Sequence, residues 1–259
     1  MIENLGLVYS ELGLWALLWL FLAAVIAGYI DALVGGGGLI TIPALLLAGV
    51  PPIQALGTNK LQACAGSGTA TVTLMMKGKL AFRDLRLAML TAFIGALLGA
   101  VVVQYINAEV LAFVVPAVIV LIALYFLLAK KQKVGGGEPK VSAMTHRLTA
   151  VPTVGFYDGM FGPATGSFFV LAGVSLRGQG IVESSMIAKA LNFATNVASL
   201  IVFVWYGQVV FILGALMMFG QFVGASFGAR SLMTINPEKL RFLVVGMCVA
   251  ILLVWFVNR

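Results

Sequence analysis

Charge is what this chain has least of. Charged residues make up 10% of its 259 positions, against roughly 25% in a soluble globular domain. A water-facing surface of this size cannot be built from so few. Histidine occurs once and cysteine twice. That leaves too few ligands for a transition-metal centre and no spaced cysteine pairs for a disulfide or zinc framework. It also leaves no cluster of nucleophile, base or metal ligand for an intramembrane enzyme. Cys64 and Cys248 lie in apolar runs and read as small core residues. His146, in a polar stretch, reads as a solvated loop residue. The N-terminal stretch Met1 to Gly13 lacks the basic n-region of a cleavable signal, so it is expected to stay on the mature protein.

What fills the chain instead is apolar: 61% of residues are hydrophobic and the mean hydropathy is +1.08. The apolar runs fall at about 13–34, 38–50, 60–76, 87–106, 110–129, 148–162, 163–176, 187–206, 208–229 and 240–257. Most are long enough to cross a hydrocarbon core of ~30 Å as helices. The fold class expected is therefore all-α, a polytopic transmembrane bundle. Two runs are short. Leu39–Val50 follows Gly35-Gly36-Gly37-Gly38 and ends at Pro51-Pro52, and 163–176 follows Gly162-Pro163. Glycine and proline interrupt helices there, and broken backbone at membrane depth is tolerated only inside protein or against a cavity.

The net charge of +7 does not point to nucleic acid. The basic residues sit in short loops: Lys77, Lys79, Arg83 and Arg86; Lys130, Lys131, Lys133, Lys140 and Arg147; Arg177; and Arg230, Lys239 and Arg241. The connections near 104–110 and 206–208 have no Lys or Arg. The positive-inside rule puts the basic loops in the cytoplasm and both termini outside. The polar stretch 130–147 then reads as a flexible cytoplasmic linker between a first repeat, 1–129, and a second, 148–259.

The halves carry related motifs. Gly28-Tyr-Ile-Asp31-Ala-Leu-Val-Gly35 matches Gly155-Phe-Tyr-Asp158-Gly-Met-Phe-Gly162. The stretch from Thr58 through Lys60 to Ala63 sits where the second half has Ala188 to Phe193, and Gly95/Gly99 is matched to Gly220/Gly224. Related halves of opposite orientation predict two inverted repeats, with a substrate site near the midplane where the broken helices meet. The glycine pairs read chiefly as close helix contacts.

The blocks G-Y-I-D-A-L-V-G-G-G-G-L-I-T-I-P (28–43), A-L-G-T-N-K-L-Q-A (55–63) and G-F-Y-D-G-M-F-G-P-A-T-G-S-F (155–168) resemble the sulfite exporter TauE/SafE family of membrane transporters. The resemblance covers nearly the whole chain. It implies export or exchange of small, often sulfur-containing, organic or inorganic anions.

Four ionisable residues stand in apolar surroundings: Asp31, Lys60, Asp158 and Lys189. Each costs ~2.5–3.5 kcal/mol or more in a bilayer. Two readings stand. In one, the lysines pair or snorkel and the aspartates pair or cap the glycine turns. In the other they serve an anion site. There, Gly35, Gly36, Gly37, Gly38, Gly162 and Gly166 offer N–H groups at positive helix ends, and Lys60 and Lys189 add charge. Thr58, Asn59, Gln62, Asn192 and Asn196 add hydrogen bonds, and Asp31 or Asp158 takes up a coupling proton. No cofactor or metal is expected. G-G-G-G-L-I-T lacks the Lys-Ser/Thr ending of a phosphate loop and no soluble ATPase domain is expected, so the energy source is expected to be a gradient or a partner encoded elsewhere. The expected partners are a small anion and the lipid bilayer, with homo-oligomerisation open. The alternatives are an anion channel or facilitator and a non-transporting structural membrane protein. The two lysines weigh against a cation channel. A cysteine placed at Ser142 should react with an impermeant maleimide only from the cytoplasmic face; labelling from the periplasmic face alone would reverse the topology.

Overall fold

A computed structural model describes residues 2–128 and 137–231, all helix and connecting turns with no strand among them. The last apolar run, 240–257, lies outside the described residues, as do the linker's first residues and Lys239 and Arg241. In the first half, α1 (Ile2–Val34, with a non-helical Gly13) is followed by the short α2 (Gly38–Leu47). Then come α3 (Pro52–Met76), α4 (Phe82–Val103) and α5 (Ala108–Leu128). In the second half, α6 (Ala143–Leu148) and α7 (Ala150–Met160) precede the short α8 (Thr165–Arg177), α9 (Ile181–Trp205) and α10 (Phe211–Ser231).

Helix limits follow local chemistry. Both short helices open after a glycine with positive φ: Gly35 at 83° and Gly162 at 91°. Gly49 (φ 78°) and Pro51 close α2, and Pro52 begins α3 at a position where a missing N–H costs nothing. α3 thus starts eight residues before the apolar run read from Lys60, because its first turns are polar yet buried. α9 likewise starts at Ile181, ahead of the run read from Ile187.

Among the described residues four helices are long and apolar enough to cross a membrane: Gly13–Leu33, Phe82–Val103, Ile181–Trp205 and Phe211–Gly228. Their outer faces are apolar and exposed, with Leu18, Leu22 and Ile26 on α1, Leu90, Ile94 and Leu98 on α4, and Phe219, Phe222 and Phe227 on α10. Such faces suit lipid tails and not water. α3 is not among the four, because its Thr58, Asn59, Lys60, Gln62, Ser67 and Thr71 turn into the bundle.

Packing follows one pattern twice. α1 lies along α10, and α7 along α4; α3 packs on α10, and α9 on α4; α3 and α9 meet between them. Glycines permit the closest seams. A Cβ on Gly95 or Gly99 would stand 2.2 or 2.0 Å from the carbonyl oxygens of Pro152 and Phe156. On Gly224 or Gly228 it would stand 1.9 or 2.5 Å from those of Val25 and Tyr29. Gly95 therefore answers to Gly224 and Gly99 to Gly228, one helical turn beyond the sequence match with Gly220 and Gly224. Gly220 also meets α1, at Phe21, which extends the seam by a turn and explains the misalignment.

The connections gather at two ends. At one, the Tyr105 and Tyr206 hydroxyls lie 3.3 Å apart, near the exposed Trp205. At the other, Arg147 Nη2 donates to the Asp84 carbonyl at 3.4 Å, Gly137 N to Gly178 O at 2.8 Å, and the Arg177 guanidinium to the Val141 carbonyl. The described part of the 130–147 stretch is thus tied down against the end of α8. It also contains α6, whose Ser142 cap accepts from Thr145 N at 3.0 Å. His146 is correspondingly half-buried on a helix and not a solvated loop residue. Burial, then the nearby Arg177 and Arg147, hold its pKa below the usual value.

Because the Gly224 seam has no room for a methyl group, Gly224→Ala should destabilise the detergent-purified protein by about 1–3 kcal/mol. Gly137→Ala, with nothing within 4 Å of the added carbon, should change stability by less than about 0.5 kcal/mol. Thermal unfolding of the two variants side by side measures the difference.

Candidate functional site

The two helix breaks touch. A Cβ on Gly35 would lie 2.8 Å from the Gly166 Cα, and Ser167 N donates to Gly35 O at 3.3 Å. Only glycine at both positions lets the backbones approach this closely. Near the ends of α1 and α7, the Asp31 and Asp158 carbonyls face the other half, Asp31 O still accepting its helical bond from Gly35 N at 3.0 Å. Each is met by a lysine from the other half. Lys60 on α3 donates to the Asp158 carbonyl, and Lys189 on α9 donates to the Asp31 carbonyl. A cation at the C-terminal end of a helix is also favoured by the dipole.

The side chains differ between halves. Lys60 Nζ stands 2.9 Å from Asp158 Oδ1, both residues being 1% exposed, the one salt bridge among the described residues. The same Oδ1 accepts from Thr165 Oγ1 at 2.6 Å. Asp31 is only half-buried, and its Oδ1 accepts from Gly37 N at 3.2 Å, capping the turn into α2. The capping and pairing reading of the aspartates thus describes both, in different ways.

Beside this crossing lies a small, partly open cavity of about 20 Å³, room for roughly one water molecule. From the first half it is lined by Asp31, Gly35, Gly37, Gly38, Asn59 and Ala63. From the second it is lined by Gly162, Ala164, Thr165, Gly166, Asn192, Asn196 and Gln221. Asn59 is held by Thr41 Oγ1 at 2.6 Å and Gln62 Nε2 at 3.0 Å, both on its Oδ1. Asn196 Nδ2 donates to the Asn192 carbonyl at 2.8 Å.

Several residues expected at an anion site do not line the cavity. Lys60 and Lys189 are buried and engaged as above. Asp158 is turned to Lys60. Gln62 is fully buried and orients Asn59. Thr58 Oγ1 accepts from Val210 N at 3.0 Å, fixing the approach to α10. Gly36 lies in the turn, its carbonyl accepting from Leu39 N at 3.0 Å. The sequence reading missed Ala63, Ala164, Thr165 and Gln221. Ala164 is the one non-glycine with positive φ among the described residues (60°), which no sequence signal announces. Gln221 sits within the Gly220–Gly224 pair, where a polar residue on a packing helix was itself a signal.

Among the described residues no group of three or more His, Cys, Asp or Glu is placed to hold a metal. The polar lining is mostly amide, hydroxyl and backbone, a set that hydrogen-bonds a small polar solute.

The sequence matches the family model described as Sulfite exporter TauE/SafE over residues 20–254. It is 42% identical over 243 residues to a protein named "Probable membrane transporter protein ORF9" from Sinorhizobium sp, covering 93% of each chain. It is 41% identical over 226 residues to "Probable membrane transporter protein YfcA" of Escherichia coli K12, 87% of this chain and 84% of that one. A "Probable membrane transporter protein" of Haemophilus influenzae is 40% identical over 237 residues, 92% and 93% of the two chains. No solved structure matches.

Removing one member of a buried ion pair strands the other. Lys60→Met should therefore cost about 3–5 kcal/mol, whereas Lys60→Met with Asp158→Asn should recover much of the loss. Unfolding of the single and double variants in detergent tests this; equal loss in both would mean that the carbonyl contact, not the pair, carries the effect.

Proposed function

The chain belongs to the TauE/SafE sulfite exporter family and is a multi-pass membrane transporter, and from that premise we propose that its cargo is a small, sulfur-containing anion such as sulfite or a sulfonate. The cavity between the two helix breaks is the proposed site, and the observation that carries the reading is the crossing at Gly35 and Gly166. There, the glycines at two helix starts, Asn59, Asn192, Asn196 and Thr165 line one small space. Helix N-termini and amide donors suit oxyanion oxygens. The buried Lys60 and Lys189 lie behind that wall and make its field positive without touching the cargo.

In this reading residues 1–129 and 148–259 are repeats inserted in opposite senses, joined by a cytoplasmic linker at 130–147. Support comes from the doubled packing pattern and from the helix directions. α4 leaves the end where Arg147 meets Asp84, while its counterpart α10 begins near the Tyr206 end. The basic Arg147 and Arg177 share one end, as the positive-inside rule asks of a cytoplasmic face. The bacterial relatives support an inner-membrane location. Movement follows a gradient, by rocking of one broken-helix pair against the other.

Purified protein in liposomes should move sulfite, faster with a pH gradient than without. Asn192→Asp, which puts a negative charge in the cavity wall, should cut the flux at least tenfold, about 1.4 kcal/mol, while Asn192→Ala should cut it less. Full sulfite flux in Asn192→Asp would remove the cavity from the anion's path, and flux unaffected by the pH gradient would favour a passive facilitator.

A further inference from the structure

The cavity is lopsided, and the asymmetry distinguishes the two aspartates. Beside Asp158, the salt bridge from Lys60 and the Thr165 hydroxyl hold an ionised carboxylate. The position on α4 that corresponds to Gln221 on α10 is Ala92, which offers no side-chain partner. The correspondence is geometric: a Cβ on Gly28 would meet the Gln221 carbonyl at 2.4 Å, and one on Gly155 the Ala92 carbonyl at 2.5 Å.

Beside Asp31 the arrangement is different. Gln221 is 2% exposed, it lines the cavity, and its Oε1 has no hydrogen-bond partner among the described residues. A buried, unsatisfied amide oxygen is costly. Gln221 Oε1 and Asp31 Oδ2 both lie beside Gly66, 2.7 Å and 4.0 Å from the point where a Cβ on Gly66 would sit. Glycine there leaves room between two oxygens that, with Asp31 ionised, are both acceptors. Such a pair is satisfied by a donor between them, either a water molecule or a proton on one of the two oxygens. A hard metal cation takes six or more oxygens, and this corner offers two side-chain oxygens.

We propose that Asp31, not Asp158, is the protonation site of the transporter, and that Gln221 is its positioning partner, accepting the hydrogen bond of the neutral carboxyl. The proton comes from water in the cavity and forms an O–H bond at Asp31 Oδ2. The hydrogen points to Gln221 Oε1, while Oδ1 keeps the Gly37 N–H. The charged neighbours set when this occurs. Lys189 on α9 is held at the Asp31 carbonyl, and Lys60 on α3 is committed to Asp158. α2 carries no charge, α8 carries Arg177 at its far end, and α10 has none from Phe211 to Gly228. An anion entering the cavity repels the Asp31 carboxylate and offsets Lys189, so anion and proton bind together. That coupling rests on the anion reading of the cavity; the protonation does not.

The test is pH-difference infrared spectroscopy on the purified full chain without cargo, so a wrong cargo leaves it unaffected. Acidification should produce a protonated-carboxyl C=O component that is lost in Asp31→Asn and kept in Asp158→Asn. In Gln221→Met the component should move to higher wavenumber as the hydrogen bond is lost, and Gly66→Ala, which wedges a methyl group between the two oxygens, should do the same. A component that survives Asp31→Asn, or one unmoved in Gln221→Met, overturns the proposal. Should Asp31→Asn fail to fold, the presence or absence of the Gln221→Met shift decides.

Discussion

Two helices that stop inside an apolar bundle leave carbonyl groups that water cannot reach, and the rest of this structure is arranged around that problem. α1 ends near Asp31 and α7 near Asp158, and in each case the carbonyl is taken by a lysine from the opposite half. The exchange fastens the halves together and brings Gly35 against Gly166. A lysine in this environment would be prohibitively costly alone. Here its ammonium meets carbonyl groups and, for Lys60, a carboxylate.

The same exchange accounts for the shape of the cavity. With the lysines drawn to the carbonyls, the space beside the crossing is left to Asn59, Asn192, Asn196, Thr165, Gln221, the glycine backbone and the Asp31 carboxyl. Small residues serve the architecture elsewhere. The Gly95/Gly99 and Gly224/Gly228 seams bring α7 and α1 close enough to α4 and α10 that the breaks fall opposite one another. Without that closeness the lysines would not span the gap.

The duplication is approximate, and its departures are informative. Thr165 stands where the first half has Gly38, Gln221 where it has Ala92, and only Lys60 forms a salt bridge to its partner aspartate. Thr165 and Gln221 line the cavity, whereas the Lys60–Asp158 pair is buried away from it. The seams and the lysine-to-carbonyl bonds, which hold the halves together, are common to both.

The sequence by itself determined the helical membrane class, the places where helices break, and the four ionisable residues at those breaks. Each is a local property: run length against bilayer thickness, glycine and proline against helix continuity, and charge against apolar neighbours. Asn59, Asn192 and Asn196 were legible for the same reason, as polar residues on otherwise apolar helices. Only the tertiary structure decided what each charge faces. Sequence left Lys60 and Lys189 open between cargo ligands and structural partners, and they turn to carbonyls 98 and 158 residues away. Asp31 and Asp158 read as equivalents, yet one lines the cavity and the other is locked in an ion pair. A side chain's partner depends on which helices cross and at what register. Here that register is set by glycine seams whose alignment, one turn away from the best sequence match, becomes visible only when the helices are packed.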